Sequence, residues 1–372
     1  MTDRRPRDRA TLRVVIAGGG TGGHLYPGIA VARELLAREP SATVSFAGTA
    51  HGIEARVVPH EGFELDVIRS SGLKGKSLAH RLRGAARVPL GLIDAWRLVT
   101  ARRPDLVIGV GGYSSGPVVL TAALRGVATM LLEQNAVPGL TNRLLARHVR
   151  AAAVTYESTC AFFGSKAFVS GNPVRAEFFE ASRLPKVERQ DTSTTNVLVF
   201  GGSQGAHAIN VAMVAAASSL AGARSNLRVA HQTGERDLAF VRDGYRGAGL
   251  MADVEPFFYD MGRRLGHADI VVCRAGATTL AEITAAGKAA ILVPLPTATD
   301  DHQRKNAEAL VERGAAELLL QRDMTGDTLA GRIVALADDE ARRGHIAAAA
   351  RGLARPDAAR VIVDRALALA GR

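Results

Sequence analysis

Cysteine and aromatic residues are scarce in this chain of 372 residues, which has two cysteines and 5% aromatic side chains. Cys160 and Cys273 are far apart in the sequence, so they indicate neither a disulfide framework nor the close spacing of a metal site. No apolar run reaches the roughly 18 residues that a membrane-spanning helix needs, and the N-terminus has no apolar signal core. We therefore expect a cytoplasmic protein with buried, reduced thiols.

Acidic residues are outnumbered by basic ones, 36 to 47, which gives a formal net charge of +11. Part of the excess lies in residues 1–10, a basic arm that is predicted to lack fixed structure. A second basic segment runs from Arg69 to Arg103, with Asp94 as its only acidic residue. Such a surface attracts phosphates of lipid headgroups or of nucleic acid. No nucleic-acid partner is expected, because stacking aromatics are few and no nucleic-acid motif is present.

Two segments of the chain resemble each other at a constant offset of 183 positions. Residues 14–24 and 197–207 each begin as a short apolar run, pass through glycines and continue as a helical pattern. The apolar run is typical of a buried parallel strand, and the turn and helix start can offer N–H groups to an anion. The chain length also favours two domains. We therefore predict two such domains, with the chemistry in a cleft between them.

Alternating strand and helix patterns predict an α/β protein with two Rossmann-like, doubly wound parallel sheets. We expect an N-terminal, membrane-associated acceptor domain at 11–170 and a C-terminal nucleotide-binding domain at 171–350. A final helical stretch at 351–372 is predicted to pack back on the N-terminal domain. The predicted strands are 12–17, 43–47, 65–68, 105–110, 127–132, 151–155, 196–200, 227–231, 269–273 and 290–293.

Gly18, Gly20 and Gly23 match the G-x-G-x-x-G dinucleotide fingerprint, which makes a dehydrogenase one hypothesis. Such a site needs an acidic residue at the end of the next strand to hold the ribose, and residues 45–49 have none. It also leaves the second glycine turn unexplained. A transferase that binds a nucleotide-activated donor in one domain and an acceptor in the other explains both turns.

Six motifs in register resemble those of the MurG family, the N-acetylglucosaminyltransferases of peptidoglycan precursor synthesis. Together they cover the chain from about residue 12 to the C-terminal helix, so coincidence is a poor explanation. The motifs are 18–24 with Pro27, 111–117, 133–135 with Pro138 and Gly139, 171–175, 201–206, and 274–277 through Glu282.

The resemblance implies a GT-B fold and inverting transfer of GlcNAc from UDP-GlcNAc to the C4 hydroxyl of undecaprenyl-pyrophosphoryl-MurNAc-pentapeptide. It implies as partners the UDP-GlcNAc donor, the undecaprenyl-linked lipid acceptor, the anionic inner face of the cell membrane and other cell-wall synthesis proteins. No cofactor and no metal are expected, since the sequence has no Asp-x-Asp triplet. Another GT-B glycolipid synthase that uses a UDP-sugar is the alternative.

The displacement needs a base for the incoming hydroxyl. His24 follows the first glycine turn and is the candidate base, because the usual histidine pKa suits this task; a cap at the helix start is the alternative. Glu133 is the second candidate catalytic residue, with stabilisation of its own loop as the alternative. The predicted acceptor-binding residues are Thr21, Gly22, Gly23, Tyr113 and Asn135.

On the donor side, the N–H groups of the second glycine turn and the Ser203 hydroxyl are predicted to bind the pyrophosphate, with Arg274 as a further stabiliser. The resemblance assigns the ribose to Glu282. It assigns the GlcNAc hydroxyls to His302 and Gln303, and the share of His302 in sugar selectivity stays open because some relatives have glutamine there. The predicted donor-binding set is Asn135, Arg175, Ser203, Gln204, Gly205, Phe258, Ala277, Thr278, Thr279, Glu282, His302 and Gln303.

The basic segment predicts an amphipathic helix that binds anionic headgroups without crossing the bilayer. Pro89 is expected to divide the segment into two helices. In its second half, the apolar residues Leu92, Ile93, Trp96 and Val99 are interpreted as packing on the sheet. The predicted membrane contacts are Leu78, Arg81, Leu82, Arg83 and Arg87.

Overall fold

The structure, a computed structural model, describes residues 11–70, 78–181, 194–202, 205–223 and 226–372, and of residues 78–88 and 181 it describes only the backbone. The predicted N-terminal arm, residues 1–10, lies outside the described residues. The chain forms two compact units. Unit 1 comprises Met1–Gln134, Pro138–Pro173 and Asp357–Arg372, and unit 2 comprises Asn135–Val137 and Val174–Pro356. The corresponding divisions predicted from the sequence lie at 170 and 350.

Unit 1 is built on a parallel sheet, which has seven strands in the described residues, in the order β3-β2-β1-β4-β5-β6-β7. The order reverses between β1 and β4, so their carboxyl ends form the switch point at which open α/β sheets bind ligands. The strands are β1 (Arg13–Gly18), β2 (Thr43–Gly48), β3 (Glu64–Val67), β4 (Leu106–Gly111), β5 (Ala128–Glu133), β6 (Ala151–Val154) and β7 (Ala167–Val169).

Helices cover both faces of this sheet. Successive strand residues point to opposite faces, and the residues on both faces are apolar, so each face needs a cover. Ile16 packs with Leu25 and Ile362 on one face, whereas Val15 and Val107 belong to the core on the other. The final helix packs on the first, so the last residues of the chain return to unit 1. The helices are α1 (Gly22–Arg38), α2 (Glu54–His60), α3 (Leu78–Arg102), α4 (Ser115–Leu124), α5 (Leu140–Leu145), α6 (Glu157–Phe163) and α15 (Ala358–Leu369).

Unit 2 repeats the design with a parallel sheet, which has six strands in the described residues, in the order β10-β9-β8-β11-β12-β13. Its switch point lies at the carboxyl ends of β8 and β11. The strands are β8 (Thr195–Phe200), β9 (Leu227–Gln232), β10 (Ala252–Glu255), β11 (Ile270–Cys273), β12 (Ala289–Leu292) and β13 (Glu317–Leu318). The helices are α7 (Ala176–Ala181), α8 (His207–Ala223), α9 (Leu238–Ala248), α10 (Met261–His267), α11 (Ala277–Ala286), α12 (His302–Val311), α13 (Gly326–Asp338) and α14 (Glu340–Gly352).

All ten predicted strands are confirmed to within one residue at each end, and three further strands were missed. The missed strands are β7, β10 and β13, and each lies at the edge of its sheet. These three strands have only two to four residues and are partly exposed, so none forms the longer buried apolar run that identifies a central strand. The pattern therefore detects the centre of each sheet better than its margins.

The predicted break at Pro89 is wrong, since α3 continues through it as one helix. Proline removes one backbone hydrogen bond from a helix, but tertiary packing can outweigh that loss. Here Ala95, Leu98 and Val99 are buried in the core beside α4 and stabilise the second half of α3.

Candidate active site

The first glycine turn lies at the switch point of unit 1 and packs backbone against backbone on the end of β4. The N–H of Gly19 donates to the carbonyl of Gly111 at 3.3 Å. A Cβ on Gly112, whose φ is +81°, would lie 2.3 Å from the carbonyl oxygen of Gly19. Only glycine fits there, so these residues serve close approach of two chain segments.

Glu54, which is not among the predicted site residues, is buried beneath this turn with 1% of its surface exposed. Its carboxylate accepts from the N–H of Gly20 at 2.9 Å, from the N–H of Thr49 at 2.9 Å and from the Thr49 hydroxyl at 2.8 Å. Burial opposes its ionisation, but these hydrogen bonds outweigh burial and hold the pKa of Glu54 below its usual 4.5. The carboxylate of Glu54 therefore already accepts a hydrogen bond from one backbone N–H of the first glycine turn, that of Gly20.

His24 lies in the first turn of α1, directly after the glycines. Its Nδ1 is 3.2 Å from Oε1 of Gln134, and the Nε2 of Gln134 donates to the carbonyl of Val110 at 3.0 Å. Thr21 is the N-cap residue of α1, and Gly22 and Gly23 begin the helix. The structure thus brings the predicted base and these acceptor-binding residues together at one helix start.

Glu133 is buried at the end of β5, where its Oε2 accepts from the N–H of Gly139 at 2.9 Å and from the Asn142 side chain at 2.8 Å. These contacts hold the segment that follows the strand, in keeping with the alternative prediction that Glu133 stabilises its own loop. Tyr113 is half exposed, and its carbonyl accepts from the Ser70 hydroxyl at 2.9 Å.

Asn135 belongs to unit 2, where it contacts α12. Its Oδ1 accepts from Nδ2 of the buried Asn306 at 3.1 Å, and Oδ1 of Asn306 accepts from the N–H of Ala136 at 2.8 Å. Asn306 also donates to the carbonyl of Ala275 at 3.4 Å. Asn306 therefore ties Asn135 to the loop after β11, close to the start of α11.

The second glycine turn follows β8 and precedes α8. Ser203 and Gln204 lie outside the described residues, so their predicted contacts with pyrophosphate stay predictions. Gly205 has a φ of +72°, and a Cβ there would lie 1.9 Å from the carbonyl oxygen of Thr233. This position requires glycine because the turn presses against the end of β9.

A buried polar network holds the start of α8 beside this turn. Asn210 donates to the carbonyl of Thr233 at 2.9 Å and to the carboxylate of Asp237 at 2.8 Å. Its Oδ1 is 3.0 Å from Nε2 of His231, and burial lowers the pKa of His231 to about 3. A neutral His231 donates from Nε2 to Asn210, which positions the helix without a buried charge.

Gln232 links the second glycine turn to Phe258, the residue predicted to lie near the uracil. Its Nε2 donates to the carbonyl of Gly202 at 2.9 Å, and its Oε1 accepts from the N–H of Phe258 at 2.8 Å. The guanidinium of Arg264 lies 3.8 Å from the centre of the Phe258 ring. Gln232 is buried and thus sets the separation of two predicted donor-binding segments.

Glu282 lies on α11 and interacts electrostatically with Arg175 and Glu177. Burial raises its pKa to about 7, the Glu177 charge adds to this increase, and Arg175 opposes it. Arg175 is also 3.3 Å from Glu177 in an ion pair. The structure therefore places Glu282, predicted to bind the ribose, close enough to Arg175, predicted to lie near the uracil, for their charges to interact. The pKa of the Glu282 carboxyl, about 7, lies near neutral pH.

Ala277, Thr278 and Thr279 form the first turn of α11, where backbone N–H groups point out of the helix. Arg274 precedes them, but its guanidinium is buried. It donates to the carbonyls of Val293 and Pro294 at 3.1 Å and to Gln321 at 2.7 Å. Its contacts with protein carbonyls favour a structural role over the predicted stabilisation of the leaving group.

His302 and Gln303 begin α12 after an unusual loop. Asp300 and Asp301 both have left-handed backbone conformations, with φ of 53° and 54°, which is costly for residues other than glycine. Nδ1 of His302 is 2.6 Å from the carbonyl of Thr299, so it carries the proton, and Oε1 of Gln303 accepts from the N–H of Leu295 at 3.0 Å. Nε2 of His302 and the amide NH₂ of Gln303 are the chemically suited groups for sugar hydroxyls.

The predicted membrane-contact residues 78, 81–83 and 87 lie on the helical backbone of α3, but their side chains are outside the described part of the chain. The interpretation of Ile93 and Trp96 as sheet-packing residues is wrong, since they are 46% and 56% exposed. Val99 is buried as expected, and Leu92 is half-buried. Across the helices that can be described, none combines the length and the apolarity needed to traverse a bilayer.

Arg125 joins this part of α3 to α4, because its guanidinium lies 4.7 Å from the centre of the Trp96 ring. Leu124 beside it is 72% exposed. We call the surface formed by Leu90, Ile93, Trp96, Leu124 and Arg125 the α3–α4 face. Elsewhere in the basic segment, Arg102 pairs with Glu64 and Asp66, which neutralises its charge locally.

Four buried polar residues that position the candidate site were not predicted as site residues from the sequence. They are Glu54, Gln134, Gln232 and Asn306. Gln134 stands between Glu133 and Asn135, two predicted site residues, and Gln232 follows the predicted strand 227–231. Such placement at a strand end was a usable signal. Glu54 and Asn306 stand on helices in ordinary helical patterns, so the sequence offered no signal for them.

No group of three or more histidine, cysteine, aspartate or glutamate residues with the geometry of a metal site occurs in the part of the chain that the structure describes. Cys273 is buried and Cys160 is half-buried, and both are free thiols.

Comparison with known proteins identifies both halves of the chain. Residues 14–154 match the glycosyltransferase family 28 N-terminal domain, and residues 196–362 match the glycosyltransferase family 28 C-terminal domain. A UDP-N-acetylglucosamine–N-acetylmuramyl-(pentapeptide) pyrophosphoryl-undecaprenol N-acetylglucosamine transferase of Pelobacter propionicus is 47% identical over 375 residues, covering 96% of this chain and 99% of that protein. The transferase of the same name from Anaeromyxobacter sp. (strain K) is 46% identical, covering 97% of this chain and 94% of that protein.

Among solved structures, Acinetobacter baumannii MurG superposes with a TM-score of 0.78 at 30% identity, covering 96% of this chain and 99% of that one. The two parallel-sheet units are thus those of the predicted GT-B fold. The chain belongs to the MurG family of glycosyltransferase family 28.

Proposed function

We propose that this protein transfers GlcNAc from UDP-GlcNAc to the C4 hydroxyl of undecaprenyl-pyrophosphoryl-MurNAc-pentapeptide, with inversion at the sugar. The observation that carries the proposal is that each sheet has a glycine turn at its switch point with a different set of groups around it. In unit 2, Glu282 interacts electrostatically with Arg175. The glycine turn of the same unit is linked to Phe258 through the side chain of Gln232. Unit 1 has His24 beside a turn whose Gly20 amide already binds a carboxylate.

In the proposed reaction, the C4 hydroxyl oxygen attacks the anomeric carbon of GlcNAc as the bond from that carbon to the UDP oxygen breaks. The imidazole of His24 accepts the hydroxyl proton, and UDP leaves with the bonding electrons. Backbone N–H groups at the starts of α8 and α11 stabilise the departing phosphate charge. Glu133 holds its loop rather than reacting, in keeping with its contacts to Gly139 and Asn142.

Ribose recognition is assigned to Glu282, whose ionised carboxylate accepts from both ribose hydroxyls. Arg175 and the Phe258 backbone are assigned to the uracil. His302 and Gln303 are assigned to the GlcNAc hydroxyls, because they share one helix start and retain polar groups suited to hydroxyls. The mechanism uses no metal ion.

The protein works at the membrane surface, since its acceptor is a lipid. The α3–α4 face supports this assignment, because exposed Ile93, Trp96 and Leu124 lie beside Arg125. Apolar side chains that enter the headgroup region next to cations are typical of shallow binding to anionic lipid. The neighbouring basic residues Arg81, Arg83 and Arg87 extend the cationic segment along the sequence.

A transfer assay with UDP-GlcNAc and a short-chain lipid acceptor in EDTA tests the function. We expect turnover of the wild-type protein in EDTA, and losses of at least about 100-fold in kcat for His24→Ala and in kcat/KM for Glu282→Ala. His51→Ala, at an exposed histidine of unit 1, is the matched control and should be fully active.

EDTA-sensitive turnover would contradict the metal-free mechanism. Transfer to unrelated lipid acceptors, but not to the MurNAc-pentapeptide lipid, would favour the glycolipid synthase. Full activity of His24→Ala would remove that residue as the base.

A further inference from the structure

The imidazole of His24 is confined between a glycine and a glutamine. A Cβ on Gly111, whose φ is +97°, would lie 2.8 Å from Nδ1 and 3.0 Å from Cε1 of the ring. Gly111 thus leaves room for the ring to lie against the backbone. Gln134, only 2% exposed, lies 3.2 Å away with its side-chain oxygen toward Nδ1. The backbone at Gly111 limits where the ring of His24 can lie, and the side chain of Gln134 contacts its Nδ1 atom.

The orientation of the Gln134 amide follows from its second partner. A backbone carbonyl only accepts hydrogen bonds, so the group that faces the Val110 oxygen at 3.0 Å must be the amide NH₂. The amide oxygen is then the atom that faces His24. A flipped amide would place two oxygens together at Val110, in a site with little access to water, and such an unpaired buried carbonyl is costly.

The amide oxygen in turn decides the protonation of the ring. An oxygen that can only accept requires a donor at 3.2 Å, so Nδ1 of His24 carries the proton. In neutral imidazole the other nitrogen, Nε2, then holds the lone pair. The partner of one ring nitrogen thereby selects which nitrogen can act as a base.

We propose that Gln134 is a positioning residue that holds His24 in the Nδ1–H tautomer, so that Nε2 is the atom that takes the proton from the acceptor hydroxyl. This proposal rests on His24 as the base in the proposed function. Serine hydrolases use a carboxylate for the analogous task, and its negative charge also stabilises the imidazolium. A neutral amide selects the tautomer without adding that charge.

The tautomer can be observed directly by NMR of protein labelled with ¹⁵N in its ten histidines, with His24→Gln used to assign the His24 signals. We expect neutral wild-type His24 at pH 8 to show a protonated Nδ1 and an unprotonated Nε2. Gln134→Leu removes the accepting oxygen and is expected to lose this pattern. A protonated Nε2 in the neutral wild-type ring would overturn the proposal whatever the activity.

Kinetics test whether the tautomer matters for turnover. We expect Gln134→Leu to lower kcat about 10- to 100-fold while the KM for UDP-GlcNAc changes less than about threefold, because the lost group acts on the proton transfer. In the His24→Gln background, Gln134→Leu should add little further loss. Equal losses in both backgrounds would overturn the link between the two residues.

Failure of the proposed function is distinguishable from failure of this inference. If His24→Gln retained full activity, His24 would not be the base, and the NMR result would still report the tautomer that Gln134 selects.

Discussion

The carboxylate of Glu54 accepts a hydrogen bond from the backbone N–H of Gly20 at 2.9 Å. In a dinucleotide-binding turn, amides at this place bind the pyrophosphate. Here a side chain from α2 supplies the negative charge instead, so a nucleotide phosphate would meet a buried carboxylate. This relationship gives a structural reason, beyond the missing ribose carboxylate, why a G-x-G-x-x-G sequence need not indicate a dehydrogenase.

Removal of the Glu54 carboxylate should destabilise unit 1. We expect Glu54→Ala to lower the free energy of unfolding by about 3 kcal/mol, because the donors of Gly20 and Thr49 lose the charged partner that Glu54 holds beneath the turn. Glu54→Gln should cost less, since its amide oxygen still accepts. Thermal or urea denaturation measures the change. Glu64→Gln, at a carboxylate that is 70% exposed, is the control and should change stability by less than about 1 kcal/mol.

The Glu54 effect should also depend on pH. A carboxyl with a lowered folded-state pKa stabilises the fold above its unfolded value near 4.5, and this contribution is lost as the pH falls through the folded value. The stability difference between wild type and Glu54→Gln should therefore shrink below about pH 4.5. A difference that stays constant from pH 7 to pH 3 would contradict this account.

Donor affinity should weaken in acid because of Glu282. Its pKa of about 7 means that about nine-tenths of the carboxyls are ionised at pH 8 and about one-tenth at pH 6. If the ribose binds the ionised form, the Kd for UDP-GlcNAc should be about tenfold higher at pH 6 than at pH 8. Calorimetric titration without acceptor should also show proton release on binding near pH 7. Glu282→Gln should bind weakly at both values, and an equally pH-dependent Glu282→Gln would assign the effect elsewhere.

Loss of the Gln232 contacts should impair donor binding and stability together. Gln232→Leu leaves the Gly202 carbonyl and the Phe258 N–H without their buried partner, which should cost about 2–4 kcal/mol of stability. Since both segments are assigned to the donor, the Kd for UDP should rise about tenfold. Gln232→Glu can still accept from Phe258 but has no donor for the Gly202 carbonyl, so it should be destabilising as well. An unchanged Kd in a folded Gln232→Leu protein would show that the link does not shape the donor site.

Membrane binding should depend on the α3–α4 face. We expect the double variant Ile93→Ser, Trp96→Ser to bind vesicles with anionic lipid about tenfold more weakly, because two exposed apolar side chains no longer enter the interface. Vesicle sedimentation measures the change, and activity with a short-chain acceptor in solution should persist. Phe240→Ser, at a phenylalanine of unit 2 that is 47% exposed, is the control. Unchanged vesicle binding of the double variant would exclude this face.

Charge should contribute separately to the same binding. Changing Arg81, Arg83 and Arg87 together to serine should remove much of the salt-dependent part of vesicle binding, since the attraction between basic residues and anionic lipid is screened by salt. Binding that has the same salt dependence in the triple variant would discard these arginines as lipid contacts.

Patterns along the chain were sufficient for the centre of each sheet and for the glycine turns. Buried parallel strands such as Val14–Ala17 need continuous apolar residues, and the turns need glycine at positions such as Gly205, so both leave a local record. The exposure of Ile93 and Trp96, by contrast, could not be recognised from the local sequence. An apolar residue on a helix has the same periodicity whether it faces a core or a lipid surface.

The sequence by itself determined the fold class, the family motifs and the residue types available for the chemistry. Only the tertiary structure decided which polar atoms meet: Gln134 with His24, Glu54 with Gly20, and Gln232 with both Gly202 and Phe258. Backbone periodicity is a local property of neighbouring residues, whereas a hydrogen bond between residues 34 or 110 positions apart depends on how the whole sheet brings its strand ends together.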